Sequence, residues 1–243
     1  MRLALILVLL ALAGPAAAQD LTLSLGDGSL TARTVQLFAL VTVLSLAPGL
    51  AIMLTCFPFI VTVLAILRQA IGLQQSPPNV LIVSLALFLT YFVMEPVFTQ
   101  YWTQGVQPLI DGKLDLTAAF SAGIEPVRAF MGHRIDPATF DALRALRPDA
   151  AAPAGSGAEA LRSAPLSLMI PSFLLSEIQR AFEIGFLIYL PFLIIDLVVA
   201  AVLMSMGMMM VPPAMVSLPF KLAFFVVVNG WALVSGALVR SYF

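Results

Sequence analysis

Residues 164–220 read APLSLMIPSFLLSEIQRAFEIGFLIYLPFLIIDLVVAAVLMSMGMMMVPPAMVSLPF, and Lys221 follows. The stretch is apolar almost throughout, yet it carries Glu177, Arg180, Glu183 and Asp196 and ends in a methionine cluster beside Pro212 and Pro213. An ionised side chain at bilayer depth costs about 2.5–3.5 kcal/mol on an insertion scale, so these groups must face protein or water. A segment this apolar and this charged fits a packed multi-subunit membrane assembly better than a simple anchor. The apolar run that begins near Leu166 is about twice the length of one ~20-residue span. Pro171 and Pro191 lie inside it, which predicts a helical hairpin or re-entrant pair rather than one rod.

Working outward, the whole chain has the same character. Hydrophobic residues make up 61% of its 243 positions and charged residues 10%. A soluble domain carries roughly 25% charged residues, so the composition predicts an integral membrane protein. A net charge of −1 leaves no basic surface for nucleic acid. The single cysteine, Cys56, excludes an intramolecular disulfide and supplies no metal framework; its apolar neighbours predict a small core residue. Residues 1–18, MRLALILVLLALAGPAAA, have the three parts of a secretory leader: Arg2, a short apolar core, and Ala16-Ala17-Ala18 before Gln19. The core is too short for a span. Cleavage would leave the mature N-terminus outside the cytoplasm; the alternative is an uncleaved first helix.

A polar N-terminal segment, 19–34, precedes two apolar elements within 35–100, separated by a short loop at 68–79. Pro48-Gly49 and Pro58 are expected to break or bend the first of them. Arg68, the loop's only charge, favours a cytoplasmic location. Residues 101–165 hold over half of the charged residues and the only histidine, His133. They read as a small, solvent-exposed, extracytoplasmic helical insert, ending in the linker-like tract at 150–157. Within it, Asp136-Pro137 predicts an N-cap with proline at N1, and Phe140, Leu143 and Leu146 are spaced for one apolar face. A further apolar segment covers about 214–240. The expected fold is all-α: an integral membrane-type protein with four apolar elements, some broken or hairpin-like, the last two lying in 166–243.

Two constellations stand out. Glu177, Arg180 and Glu183, at i, i+3 and i+6, fall on one helical stripe, where Arg180 can reach both carboxylates. That triad is either a structural lock, since buried charges must be paired, or the lining of a hydrophilic pathway. Asp196 and Lys221 are similarly isolated and opposite in sign; spacing does not show whether they pair. The second constellation is Met204, Met206, Met208, Met209, Met210 and Met215, six of eleven methionines. Unbranched thioethers fill irregular gaps, so the cluster is either a deformable seal or ordinary packing. Enzyme signatures are missing: there is no H-E-x-x-H, no G-x-S-x-G in an apolar element and no phosphate-binding glycine loop. His133 is expected at the surface. No catalytic, cofactor-binding or metal site is expected.

The strings LRQAIGLQQSPPN at 67–79, LALFLTYFVMEPV at 85–97, the long run from 170 to 222 and NGWALV at 229–234 make the chain resemble the FliP family of flagellar type III protein export gate subunits (SctR in injectisomes). The resemblance implies a core gate subunit that assembles with FliQ-like and FliR-like subunits and further copies of itself, thought to be a pentamer. It implies a helical conical complex around a channel for unfolded protein cargo, alongside other export apparatus proteins, in the inner membrane at the flagellar basal body. It also implies that the methionine-rich loop, here Met204 to Met210, closes that channel. Phe59, Val80, Asn229 and Ala232 depart from the family pattern, which bears on intersubunit contacts there. The rival class is a secondary transporter or ion channel coupled through Glu177, Arg180, Glu183 and Asp196.

Overall fold

The computed structural model of the chain describes residues 30–73, 76–146, 161, 163–208 and 210–243. The expected leader at 1–18, the tract at 150–157 and Met209 lie outside the described residues. The chain divides into two compact units, Met1–Ala47 and Pro48–Phe243. In the first, the described residues are helical and expose Phe38, Val41 and Leu44.

The described elements are α1 (Leu30–Met53), α2 (Phe57–Ile71), α3 (Asn79–Tyr101), a five-residue π segment (Trp102–Val106), α4 (Gln107–Ile110), α5 (Leu116–Arg134), α6 (Pro137–Ala145), α7 (Leu166–Ser205), α8 (Pro213–Val227) and α9 (Gly230–Arg240). The all-α expectation holds, with no strand among the described residues. Two helical runs, Asn79–Ile110 and Leu166–Ser205, are long and apolar enough to cross a membrane, and α8 with α9 makes a third if that bent pair counts as one span.

The break expected at Pro58 is present, and the other breaks fall in different places from those expected. Helix α1 runs on across residues 48 and 49, and the first apolar element breaks at 54–56 instead. Pro58 explains the position: in a continuing helix its ring would collide with the carbonyl of Leu54, whereas in the first turn of α2 it forfeits nothing. The Thr55 hydroxyl secures the corner, donating to the Ile52 carbonyl at 2.6 Å and accepting from the Phe57 N–H at 3.3 Å.

The hairpin expected inside 166–205 is absent, because α7 is one 40-residue helix with Pro171 and Pro191 in its interior. Each proline removes one backbone bond, at about 3 kcal/mol, and α2 packs along the helix to offset that loss. The hairpin lies further on, where α7 turns into α8 through the methionine segment. The last apolar element is in turn two helices, α8 and α9, bent by 61°. Asn229 sits at the bend with φ 52°, a left-handed conformation that asparagine adopts more readily than most residues.

Helix α2 is the centre of the main core. Phe59, Ile60, Val63, Leu64, Leu67, Ala70 and Ile71 recur at helical spacing and are all buried, each large side chain contributing about 1.5–3 kcal/mol. They pack against α3 and α7, with α8 alongside. Cys56 belongs to this core, as its neighbours predicted. A second cluster joins Met131, Ile135 and Phe140 to Leu168, Met169 and Phe173 at the start of α7.

The described residues of 101–146 therefore pack on the neighbouring apolar helices. Helix α5 packs on α3 and α7, and α6 packs on α7. The Asp136 cap is present, its carboxylate accepting the Thr139 N–H at 2.8 Å, with Pro137 at the helix start. Phe140 is buried and Leu143 packs beside it, whereas Leu146 is exposed. The backbone N–H of Thr139 is the main cause of a lowered Asp136 pKa. A lowered carboxyl pKa stabilises the fold above the ordinary carboxylate range, and that contribution is lost as pH falls through the folded value.

One contact fixes how α5 approaches the π segment. A Cβ on Gly105 would lie 2.8 Å from the Gly123 Cα and 2.9 Å from the Ala119 carbonyl oxygen. Both obstacles are backbone and cannot rotate away. Gly105→Ala is expected to cost about 1–3 kcal/mol through overpacking. An unchanged thermal midpoint for the detergent-solubilised variant would refute this close packing.

Candidate functional site: two buried ion pairs and a methionine turn

Glu177 points inward between the two apolar cores and is wholly buried. Its partner is Arg134, the last residue of α5, whose Nε donates to Glu177 Oε1 at 2.7 Å. The Tyr242 hydroxyl donates to the other carboxylate oxygen. Arg134 Nη1 donates to the Ser241 carbonyl at 2.9 Å, and the guanidinium lies 4.0 Å from the Tyr242 ring centre and 5.5 Å from that of Phe59. Phe130 stacks on Tyr242 at 6.0 Å and Phe59 meets it edge-on at 5.6 Å. A delocalised, weakly hydrated cation between aromatic faces is well suited to burial, where an ammonium would not be. The lock thus ties α5, α7 and the C-terminal residues 241–242 together.

The expected Glu177–Arg180–Glu183 triad does not form. Among the described residues, neither carboxylate lies within ion-pair distance of Arg180. Glu183 is exposed and accepts a 3.0 Å hydrogen bond from Gln179 one turn back. Arg180 is half-buried on the side of Asp136, where its charge helps lower the Asp136 pKa. Three residues along a helix displace a side chain by about 60°, enough to put Glu177 into the core and leave Arg180 at its edge. Arg180→Ala is accordingly expected to change stability by no more than about 1 kcal/mol, the scale of an exposed charge pair. A loss comparable to that of Arg134 substitution would restore the triad.

Asp196 and Lys221 do pair. Lys221 Nζ lies 2.6 Å from Asp196 Oδ2 and donates at 3.1 Å to the Ala70 carbonyl, while the Ser217 hydroxyl donates to Asp196 Oδ1 at 2.5 Å. Ala70 is in the last turn of α2, which Gly72 terminates with φ 90°. Carbonyls there have no intrahelical partner and carry the negative end of the helix dipole. Lys221 therefore answers a carboxylate on α7 and the C-terminus of α2 at once.

Beyond Asp196, α7 ends in the methionine turn. Gly207 adopts φ 76°, and Met204, Met206, Met208 and Met210 are exposed around it. Met206 and Met208 also line an apolar cavity of about 570 Å³ between α7 and α8, with Val198, Val202, Val216 and Phe220. His133 is exposed, as expected. Sequence spacing could not reveal Arg134, Tyr242 or the Ala70 carbonyl, which lie 43, 65 and 151 residues from the groups they meet.

The model of the FliP family matches residues 40–238. The chain belongs to the FliP family. The flagellar biosynthetic protein FliP of Caulobacter vibrioides is 52% identical, with 99% of this chain and 91% of that protein covered. The protein of the same name from Agrobacterium fabrum is 46% identical over 98% and 97% of the two chains. That from Bacillus subtilis is 44% identical over 90% and 96%. Phe59 is buried beneath Arg134, so its side chain serves this chain's own core, whereas Val80, Asn229 and Ala232 are exposed.

Proposed function

We propose that this FliP-family chain is a core subunit of the flagellar protein export gate and forms part of the channel through which unfolded flagellar proteins leave the cell. It works in the inner membrane at the basal body, beside FliQ-like and FliR-like subunits, further copies of itself in a pentamer, and other export apparatus proteins. Its role is structural rather than enzymatic. The observation that carries the reading is the methionine turn: four described thioether side chains standing exposed at the tip of a helical hairpin whose base is held by Lys221. Side chains with no rigid shape can close on one another around a channel axis and part for a moving polypeptide. The transporter reading has less support, because Glu177 and Asp196 are both taken up by internal ion pairs.

Replacing Met208, Met209 and Met210 together by alanine removes bulk without adding charge. The expected result is a fully assembled complex that leaks small ions across the membrane while secretion is partly retained. Conductance measured alongside complex yield tests this, and wild-type ion tightness in an assembled triple variant would return these residues to packing.

A further inference from the structure

Among the described residues, the methionines of the cores and those of the turn stand in opposite environments. Met94, Met131 and Met169 are 1%, 0% and 0% exposed within the two cores. At the turn, Met204 is 64% exposed, Met206 66%, Met208 41% and Met210 98%. Access to the sulfur governs how readily a thioether is oxidised, and the product is polar where the reactant was apolar. The wall behind the turn has no polar residue to receive it: the cavity that Met206 and Met208 share is lined by isoleucine, valine, leucine, methionine and phenylalanine. A sulfoxide oxygen there would have no side-chain donor within that wall, so it would turn to water instead of packing against its apolar neighbours.

From this we infer that the Met204–Met210 turn is a modification site, oxidised reversibly by peroxide-class oxidants, and that its oxidation loosens the seal. In the forward step the thioether sulfur attacks one peroxide oxygen. The O–O bond breaks, an S–O bond forms, the sulfur loses two electrons, and the second oxygen leaves as water. In the reverse step a methionine sulfoxide reductase uses two thiols, which supply two electrons and two protons and become a disulfide, while the oxygen leaves as water and the thioether is restored. The modification rests on exposure alone; its effect on the channel rests on the seal reading above.

The test treats membranes holding the assembled export complex with hydrogen peroxide, maps sulfoxide by peptide mass spectrometry, and measures ion conductance on the same sample. Sulfoxide is expected at Met204, Met206, Met208 and Met210 at least ten times sooner than at Met94, Met131 and Met169. Conductance should rise with it and fall again after reductase treatment. A variant with Met204, Met206, Met208, Met209 and Met210 all replaced by leucine keeps the apolar volume, and it retains exposed Met53 and Met215 as oxidisable controls. It should stay tight under peroxide. Uniform oxidation of core and turn, unchanged conductance in the oxidised wild type, or an equal peroxide-induced leak in the leucine variant would each overturn the inference. If the alanine variant above leaks and the oxidised wild type does not, this inference fails and the seal reading stands. If neither leaks, both fail.

Discussion

Replacing Arg134 by methionine is expected to cost about 3–5 kcal/mol of folding stability, because it strands Glu177 as an unpaired carboxylate in the core. Glu177 is wholly buried and has two strong donors, Arg134 Nε and the Tyr242 hydroxyl. Without the guanidinium only the phenol remains, and one hydrogen bond does not replace the hydration of a carboxylate. The loss should also free the C-terminal residues, since Arg134 holds the Ser241 carbonyl and stacks on Tyr242. The companion substitution, Glu177→Leu, strands the cation instead and should cost a similar amount. The double variant should be more stable than either single one, because removing both charges together removes the desolvation penalty along with the attraction. Chemical unfolding of the three variants in detergent measures the cycle. Additive losses in the double variant would mean that the two side chains do not depend on each other.

Lys221→Met is expected to rank second, at or just below about 3 kcal/mol, the lower end of the range for breaking a buried pair. The difference from Arg134 has a physical source. Asp196 keeps the Ser217 hydroxyl as a partner and its side chain is 30% exposed, so water can take over part of the lost interaction. What water cannot easily reach is the Ala70 carbonyl at the end of α2, where Lys221 is buried. The variant should therefore loosen the α7–α8 hairpin from α2 and, with it, the methionine turn beyond. Faster amide hydrogen exchange at residues 205–212, with α5 and α6 unchanged, is the expected signature. Wild-type exchange in that segment would show that the turn is held by apolar packing alone. Arginine should not rescue the site: a planar guanidinium presents a fork where a compact ammonium meets two oxygens on different helices.

The exposed methionines and the internal ion pairs divide the hairpin into two kinds of structure. At its base, charges are buried, paired and geometrically constrained. At its tip, polarizable side chains lie outside any described core. Under the proposed seal, the stem positions the closure and the soft tip opens around cargo.

Composition, hydropathy and local spacing were enough to establish an all-helical membrane-type chain, the cap at Asp136 and the core position of Cys56, while the family was legible only in the specific strings at 67–79, 85–97, 170–222 and 229–234. These properties are local or additive: each depends on what a residue is and on its near neighbours in sequence. The position of the breaks was less legible. Pro58 sits in the first turn of α2 and forces the break at 54–56 just upstream, whereas Pro171 and Pro191 sit inside one rod because packing along α7 outweighs their missing hydrogen bonds. The partner of Glu177 was not legible at all. Arg180 stands three residues away and Arg134 forty-three, yet the distant residue makes the bond. Sequence spacing says which groups a helix could bring together; only the packed structure decides which face is buried, and a buried carboxylate is paired by whatever cation the fold delivers to that face.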